Sequence, residues 1–322
     1  MAEDGADKRI DAPRGWKLGL RVASGVALLA MVVHYANPRA LLGQLSNADP
    51  LLFVAAVMVA IAANVASALR WAAIARALDL VAPRARLIWM YARGITVNVL
   101  LPGATLSGDL LRSYQLSRLG NPLMRSALSV FFDRFSGLWV LCAMSLCATL
   151  VMALVHTTGI QRFAFPPGTP LYALALAGVL IAPLVPWPIR TLRRIKLGVW
   201  GRLIGWLEAL RSRLAAARPA LARSLGMSFV VQALSAATLW ICALSIGMSL
   251  SYWIVMAAAA PIFVMAALPI GVAGFGTREL AAVAVFGALG ISADQATAAA
   301  LLFGLCVVVQ GVLAAPLFLL RA

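Results

Sequence analysis

Six charged residues of this chain stand where charge is costly. Asp109 and Arg112, Asp133 and Arg134, and Arg278 and Glu279 lie inside or beside long apolar runs. Arginine at membrane depth costs about 2.5–3.5 kcal/mol on insertion scales unless it is paired or faces a wet cavity. Its planar fork of donors fits a phosphate, which a lysine ammonium does not match. Arg112 lies three positions after Asp109, on the same helical face. These residue types point to capture of an anion, with acids tuning the local charge. They do not point to catalysis: the sequence places no Walker motif, nucleophile–base set or metal cluster beside them. The alternative is that the pairs neutralise one another and pin the backbone around them.

Two broken segments must position these groups. The first runs Leu101-Pro102-Gly103 through Ser107-Gly108-Asp109 to Arg112. Proline ends the incoming helix by removing a donor, and the glycines allow a turn without a Cβ clash. Asp109 then opens the next helix, where an acid favours the dipole. The second segment repeats the plan: Leu268-Pro269, then Gly271, Gly274 and Gly276, then Arg278 beside Glu279. Freed helix amino termini add main-chain donors for an anion. Paired, interrupted hydrophobic segments in the two halves of a chain mark transporter binding sites. Gly271–Gly276 also resembles part of a dinucleotide fingerprint, but no strand precedes it, so that reading is set aside.

The rest of the chain is built for lipid. Apolar residues make up 63% and charged residues 12%, with a mean hydropathy of +0.93. A soluble domain has about 45–50% and about 25%. The apolar residues come in long runs, which excludes the short alternation of an outer-membrane barrel. The expectation is an all-α, polytopic membrane protein forming one transmembrane domain over residues 1–322. The net charge of +16 is assigned to loops that set orientation and meet anionic lipid, not to nucleic acid. Cys142, Cys147, Cys242 and Cys306 all lie in apolar runs and read as packing residues. His34 and His156 lack metal-ligand spacing, so neither a metal nor a cofactor is expected.

Six runs are long enough to span: Leu18–Ala36, Leu51–Ala75, Ala127–Val155, Leu171–Trp187, Leu225–Ile246 and Ala298–Leu320. Residues 1–17 precede them as a mixed-charge cytoplasmic tail. Between Arg190 and Arg223, nine Lys or Arg face Glu208 alone, which marks a cytoplasmic segment. Trp200, Leu203, Ile204, Leu207 and Leu210 recur there near helical spacing, so an amphipathic surface helix is expected. Basic residues around Arg84 and Arg118 place both flanks of the first broken segment inside. That segment must therefore enter and return, as a re-entrant hairpin, and the same parity makes Trp253–Gly290 a hairpin from the opposite face. Both termini then lie in the cytoplasm. Eight plain spans with proline kinks are the alternative.

The ordered motifs Leu101-Pro102 through Gly108-Asp109-Leu110-Leu111-Arg112, then Asp133-Arg134, then Leu268-Pro269 through Gly274-Phe275-Gly276-Thr277-Arg278-Glu279 resemble the transmembrane region of the lysylphosphatidylglycerol synthases and their stand-alone flippase-like relatives. One departure is Ser107, where that family has the first of two glycines. The resemblance implies a bacterial inner-membrane domain that moves a lipid between leaflets. Aminoacyl transfer is not implied, since the chain stops at Ala322 and a stand-alone, non-enzymatic member is expected. Membrane lipids are the expected partners, with a phospholipid, a polyprenyl-phosphate-linked glycan or a hopanoid-type lipid as cargo. Arg112 and Arg278 are expected to meet near the midplane at one headgroup site, with Asp109, Asp133, Arg134 and Glu279 around them. The second reading is a non-transporting subunit that anchors a lipid- or glycan-modifying enzyme through Arg190–Arg223. A homo-oligomer is compatible with either.

Overall fold

The computed structural model describes residues 38–100, 106–157, 169–181, 218–268 and 273–318, with positions 23, 30 and 34. The amino-terminal tail, nearly all of Leu18–Ala36, the expected helix breaks at Pro102 and Gly103 and at Pro269 and Gly271, and the basic segment up to residue 217 lie outside the described residues. Among those described, every regular element is helical. In chain order these are α1 (Pro38–Ser46), α2 (Pro50–Ala77), α3 (Arg84–Leu100), α4 (Leu106–Ser117), α5 (Leu123–Thr157), α6 (Thr169–Ile181), α7 (Arg218–Ser245), α8 (Tyr252–Ala267), α9 (Thr277–Gly287) and α10 (Ala293–Ala314), with a 3₁₀ turn at Ala315–Phe318.

Four stretches are long and apolar enough to cross a bilayer: Pro50–Ala77, Leu123–Leu154, Ala222–Ser245 and Ala293–Phe318. The chain is a polytopic membrane protein. Its helices outrun the apolar stretches at their polar ends. α5 starts at Leu123 and takes in Arg125, and α10 starts at Ala293 and takes in Asp294. Backbone hydrogen bonding does not stop where hydropathy does. Asp49 shows how one start is fixed, accepting from the N–H of Leu51 at 2.8 Å and of Leu52 at 3.2 Å.

α2 lies along α7, and α10 packs on both. Ala56, Ala60, Ala63 and Ser67 form the buried stripe of α2. Small residues bring helix backbones close, which is how packing is gained where lipid is as apolar as the protein. The large apolar residues Val54, Met58 and Val65 of α2, Phe131 and Phe135 of α5, and Phe229 of α7 point outward.

The two interrupted segments fold as helix pairs with short arms. α3 has 17 residues and α4 has 12, about 25 and 18 Å at 1.5 Å per residue. They run antiparallel: Asn98 meets Gly108, Gly94 meets Arg112 and Tyr91 lies under Arg112. α8 and α9 also pack on one another, with Ile262 in one cluster with Ala281, Ala258 and Phe286.

Pro261 lies inside α8 without ending it. A proline there strips Ala257 of its usual helical donor. Tyr172 of α6 supplies a replacement, its hydroxyl donating to the Ala257 carbonyl at 2.7 Å. Ser145 of α5 bonds the Met256 carbonyl at 2.8 Å and accepts from Ala260 N–H at 3.2 Å. Neighbouring helices thus restore the hydrogen bonds that lipid cannot offer.

Candidate functional site

The first hairpin closes on glycine. Gly108 N–H donates to Asn98 Oδ1 at 2.7 Å, and a Cβ at Gly108 would run into the Gly94 carbonyl and the Asn98 amide. This close approach sets Asp109 in the first turn of α4, with Arg112 one turn on. Arg112 Nη2 donates to Asp109 Oδ1 at 2.7 Å, and its Nη1 to Asp133 Oδ2 at 3.3 Å. The guanidinium carbon lies 4.5 Å from the Tyr91 ring centre and 4.9 Å from that of Trp71. Cation–π contact holds the charge where water is scarce.

Asp133 and Arg134 are adjacent in sequence but turn to different partners, as neighbours on a helix point about 100° apart. Asp133 accepts from Arg70 Nε at 2.9 Å as well as from Arg112. Arg134 grips Asp109 through Nε at 2.8 Å and Nη2 at 2.9 Å. Five charges from α2, α4 and α5 thus form one chain: Arg70, Asp133, Arg112, Asp109, Arg134. Arg70 also donates to Ser228 at 3.1 Å, and Gly137 leaves the space its guanidinium occupies.

Arg70 is the member that the motif reading does not contain. Its signal in the sequence is a single basic residue inside the apolar run Leu51–Ala75. Such a residue must find a partner or a wet cavity, and its acid is 63 positions away.

Two cavities lie beside this cluster. The first, about 160 Å³, is lined by Arg112, Arg134, Asn98, Asn64, Tyr91 and Gly94, together with Ala273 from the second hairpin. The second, about 240 Å³, is lined mainly by aliphatic residues, among them Ile61, Val65, Ile88, Leu313 and Leu317. Asn64, Tyr91 and Ile95 belong to both. Of these, Asn64 donates to Gln310 Oε1 at 2.5 Å, and Gln310 donates to the Cys306 carbonyl at 3.0 Å.

The second hairpin reaches the first cavity by its backbone bend and not by its arginine. Ala273 takes φ 51° and Gly274 φ 79°. A side chain at Gly274 would meet the Ala266 carbonyl at 2.8 Å in addition to that strain. Beyond the bend, Glu279 reaches back to accept from Gly276 N–H at 2.6 Å. It also takes Arg278 Nη2 at 2.6 Å and Nε at 3.1 Å. The Arg278 guanidinium lies 4.8 Å from the Phe275 ring and 5.7 Å from that of Phe303, pressed against Gly304. Arg278 is 1% exposed and Glu279 0%. The expectation of one site shared by Arg112 and Arg278 therefore meets a divided arrangement. The first arginine lines a cavity in a five-charge cluster, whereas the second is sealed in a separate one-to-one pair. Gly304 and the two phenylalanine rings pack directly against the Arg278 guanidinium, and none of them lines the first cavity.

The sequence matches the family described as the lysylphosphatidylglycerol synthase TM region over residues 18–315. The chain belongs to this family. The match is to the membrane part of these synthases and not to their catalytic domain, in keeping with the motifs around Asp109, Asp133 and Arg278. Among curated proteins none matches the chain.

Proposed function

We propose that this member of the family moves a polar-headed lipid between the leaflets of a bacterial cytoplasmic membrane. The observation that carries the reading is the neighbourhood of two unlike cavities. One is lined by Arg112, Arg134 and Asn98, and an aliphatic one shares the wall residues Asn64, Tyr91 and Ile95 with it. A lipid has the same division, a polar head joined to apolar chains. The first cavity suits the headgroup and the second the start of an acyl chain. Arg112 and Arg134 engage the head, and Asp109 and Asp133 orient them. Arg278 and Glu279 lock the second hairpin so that Ala273 forms part of the wall. The basic segment Arg190–Arg223 supports cytoplasmic termini by its charge bias.

The test is leaflet exchange in vesicles containing the purified chain and a trace of fluorescently tagged phosphatidylglycerol. An impermeant reductant bleaches only the outer leaflet. Wild-type protein is expected to render the inner pool bleachable over time, and Arg134→Ala to leave it protected. Wild-type vesicles that behave like protein-free ones reject transport. A lipid- or glycan-modifying enzyme that copurifies with such an inactive protein, and is lost when Arg190–Arg223 is neutralised, supports the anchoring reading instead.

A further inference from the structure

The charges beside the polar cavity do not balance. Among the described residues, Arg70, Arg112 and Arg134 meet Asp109 and Asp133, three guanidiniums against two carboxylates. One positive charge is left over beside the cavity that Arg112 and Arg134 line, and Arg134, the most exposed of the three arginines, is the one an incoming anion can reach.

The two acids are held in different ways. Asp133 is 1% exposed and has a guanidinium on each oxygen, Arg70 on one and Arg112 on the other. Asp109 is 13% exposed, and its partner Arg134 is 43% exposed and lines the cavity. The fork of Arg134 closes on Asp109 with two parallel donors, Nε and Nη2. Two oxygens of a phosphate present the same geometry to that fork. Asp133 is built in, whereas Asp109 occupies a place that an incoming anion could take.

We infer that Asp109 is a stand-in anion, which the phosphate of a singly charged phosphodiester lipid displaces from Arg134 during each cycle. The inference rests on the lipid reading above and names the class of lipid. Asp109 keeps its bond to Arg112, so the carboxylate stays paired while the phosphate takes the freed fork. With a monoanion bound, three positive and three negative charges meet and the cluster is neutral. A lipid without phosphate leaves the surplus charge uncompensated, and a doubly charged phosphomonoester overshoots it. The cavity, about 160 Å³, is several times the roughly 10–15 Å³ that a single water needs. That is room for a phosphate with a short headgroup. The ester chains pass Asn64 and Tyr91 into the aliphatic cavity.

Such a site has an uncommon signature, because removing one of its charged residues strengthens binding. The experiment is native mass spectrometry of the full chain in detergent, titrated with dioleoyl phosphatidylglycerol or with dioleoylglycerol, which lacks phosphate. Asp109→Asn keeps the shape of the side chain and removes its charge. It should bind phosphatidylglycerol about tenfold more tightly than wild type, since a charge-assisted competitor for Arg134 is gone. Arg134→Ala should bind it about tenfold more weakly by the loss of the same contact. Dioleoylglycerol should bind all three proteins alike. Affinity is read as the ratio between the two lipids, which cancels any unfolded fraction, and Asp109→Ser checks the sign with a second side chain. Inorganic phosphate at the concentration of the lipid should not displace it; displacement would make free phosphate the ligand and overturn the lipid assignment. Asp109→Asn and Asp109→Ser that bind no better than wild type, while Arg134→Ala is impaired, overturn the stand-in role and leave the lipid site intact. Phosphatidylglycerol retained by none of the proteins overturns both readings.

Discussion

Asp133 and Arg134 are neighbours in one charge cluster, yet their removal should have opposite consequences. Asp133 is 1% exposed and bonds Arg70 and Arg112, whose side chains are 5% and 3% exposed. Asp133→Ala leaves two buried guanidiniums short of their shared acid. Breaking a buried pair by deleting one partner costs about 3–5 kcal/mol, because the other charge stays buried. Arg112 retains Asp109 and the Trp71 and Tyr91 rings, so most of the penalty falls on Arg70, which retains Ser228. Arg134 is 43% exposed at its side chain, and an ion pair of that kind contributes about 1 kcal/mol or less. Its removal leaves Asp109 still bonded to Arg112. In detergent, followed by the fraction of monodisperse protein after heating, Asp133→Ala should melt about 10 °C below wild type and Arg134→Ala within about 4 °C. Arg134→Ala should nonetheless lose lipid exchange. Equal melting points for the two variants, or a less stable Arg134→Ala, would refute the division of the cluster into a structural and an exchanging half.

The second hairpin and the topology offer further checks. A Cβ at Gly304 would lie 2.7 Å from Arg278 Cζ and 2.9 Å from Phe275 Cε1, so Gly304→Ala should destabilise by about 1–3 kcal/mol through overpacking of the sealed pair; a melting point equal to wild type would show that Arg278 is free to move. The nine-to-one charge bias of Arg190–Arg223 predicts that Arg202→Cys is protected from an impermeant thiol reagent in intact cells and reacts after permeabilisation. Labelling in intact cells would invert the orientation.

Much of the fold was legible because its causes are local. Hydropathy over about 20 residues is a property of the chain itself, and it located the ends of α2 and α5 within four residues and those of α7 and α10 within seven. The prolines and glycines at 102–108 and 269–276 fall where α3 gives way to α4 and α8 to α9. The Asp109–Arg112 bond followed from the helical repeat alone, since residues three apart share a face. The membership of the charge cluster did not follow. Arg70 finds Asp133 across 63 residues and Asn64 finds Gln310 across 246, and no spacing rule reaches that far. Nor could the two Leu-Pro motifs be told apart. Arg112 and Arg278 have like sequence surroundings, but Arg112 lies against Tyr91 and a cavity wall, while Gly304, Phe275 and Phe303 enclose Arg278. Local sequence determines that a helix breaks and which face bears a charge; which helix packs against that face, and whether it leaves room for anything else, is decided by side-chain volumes brought together from distant parts of the chain.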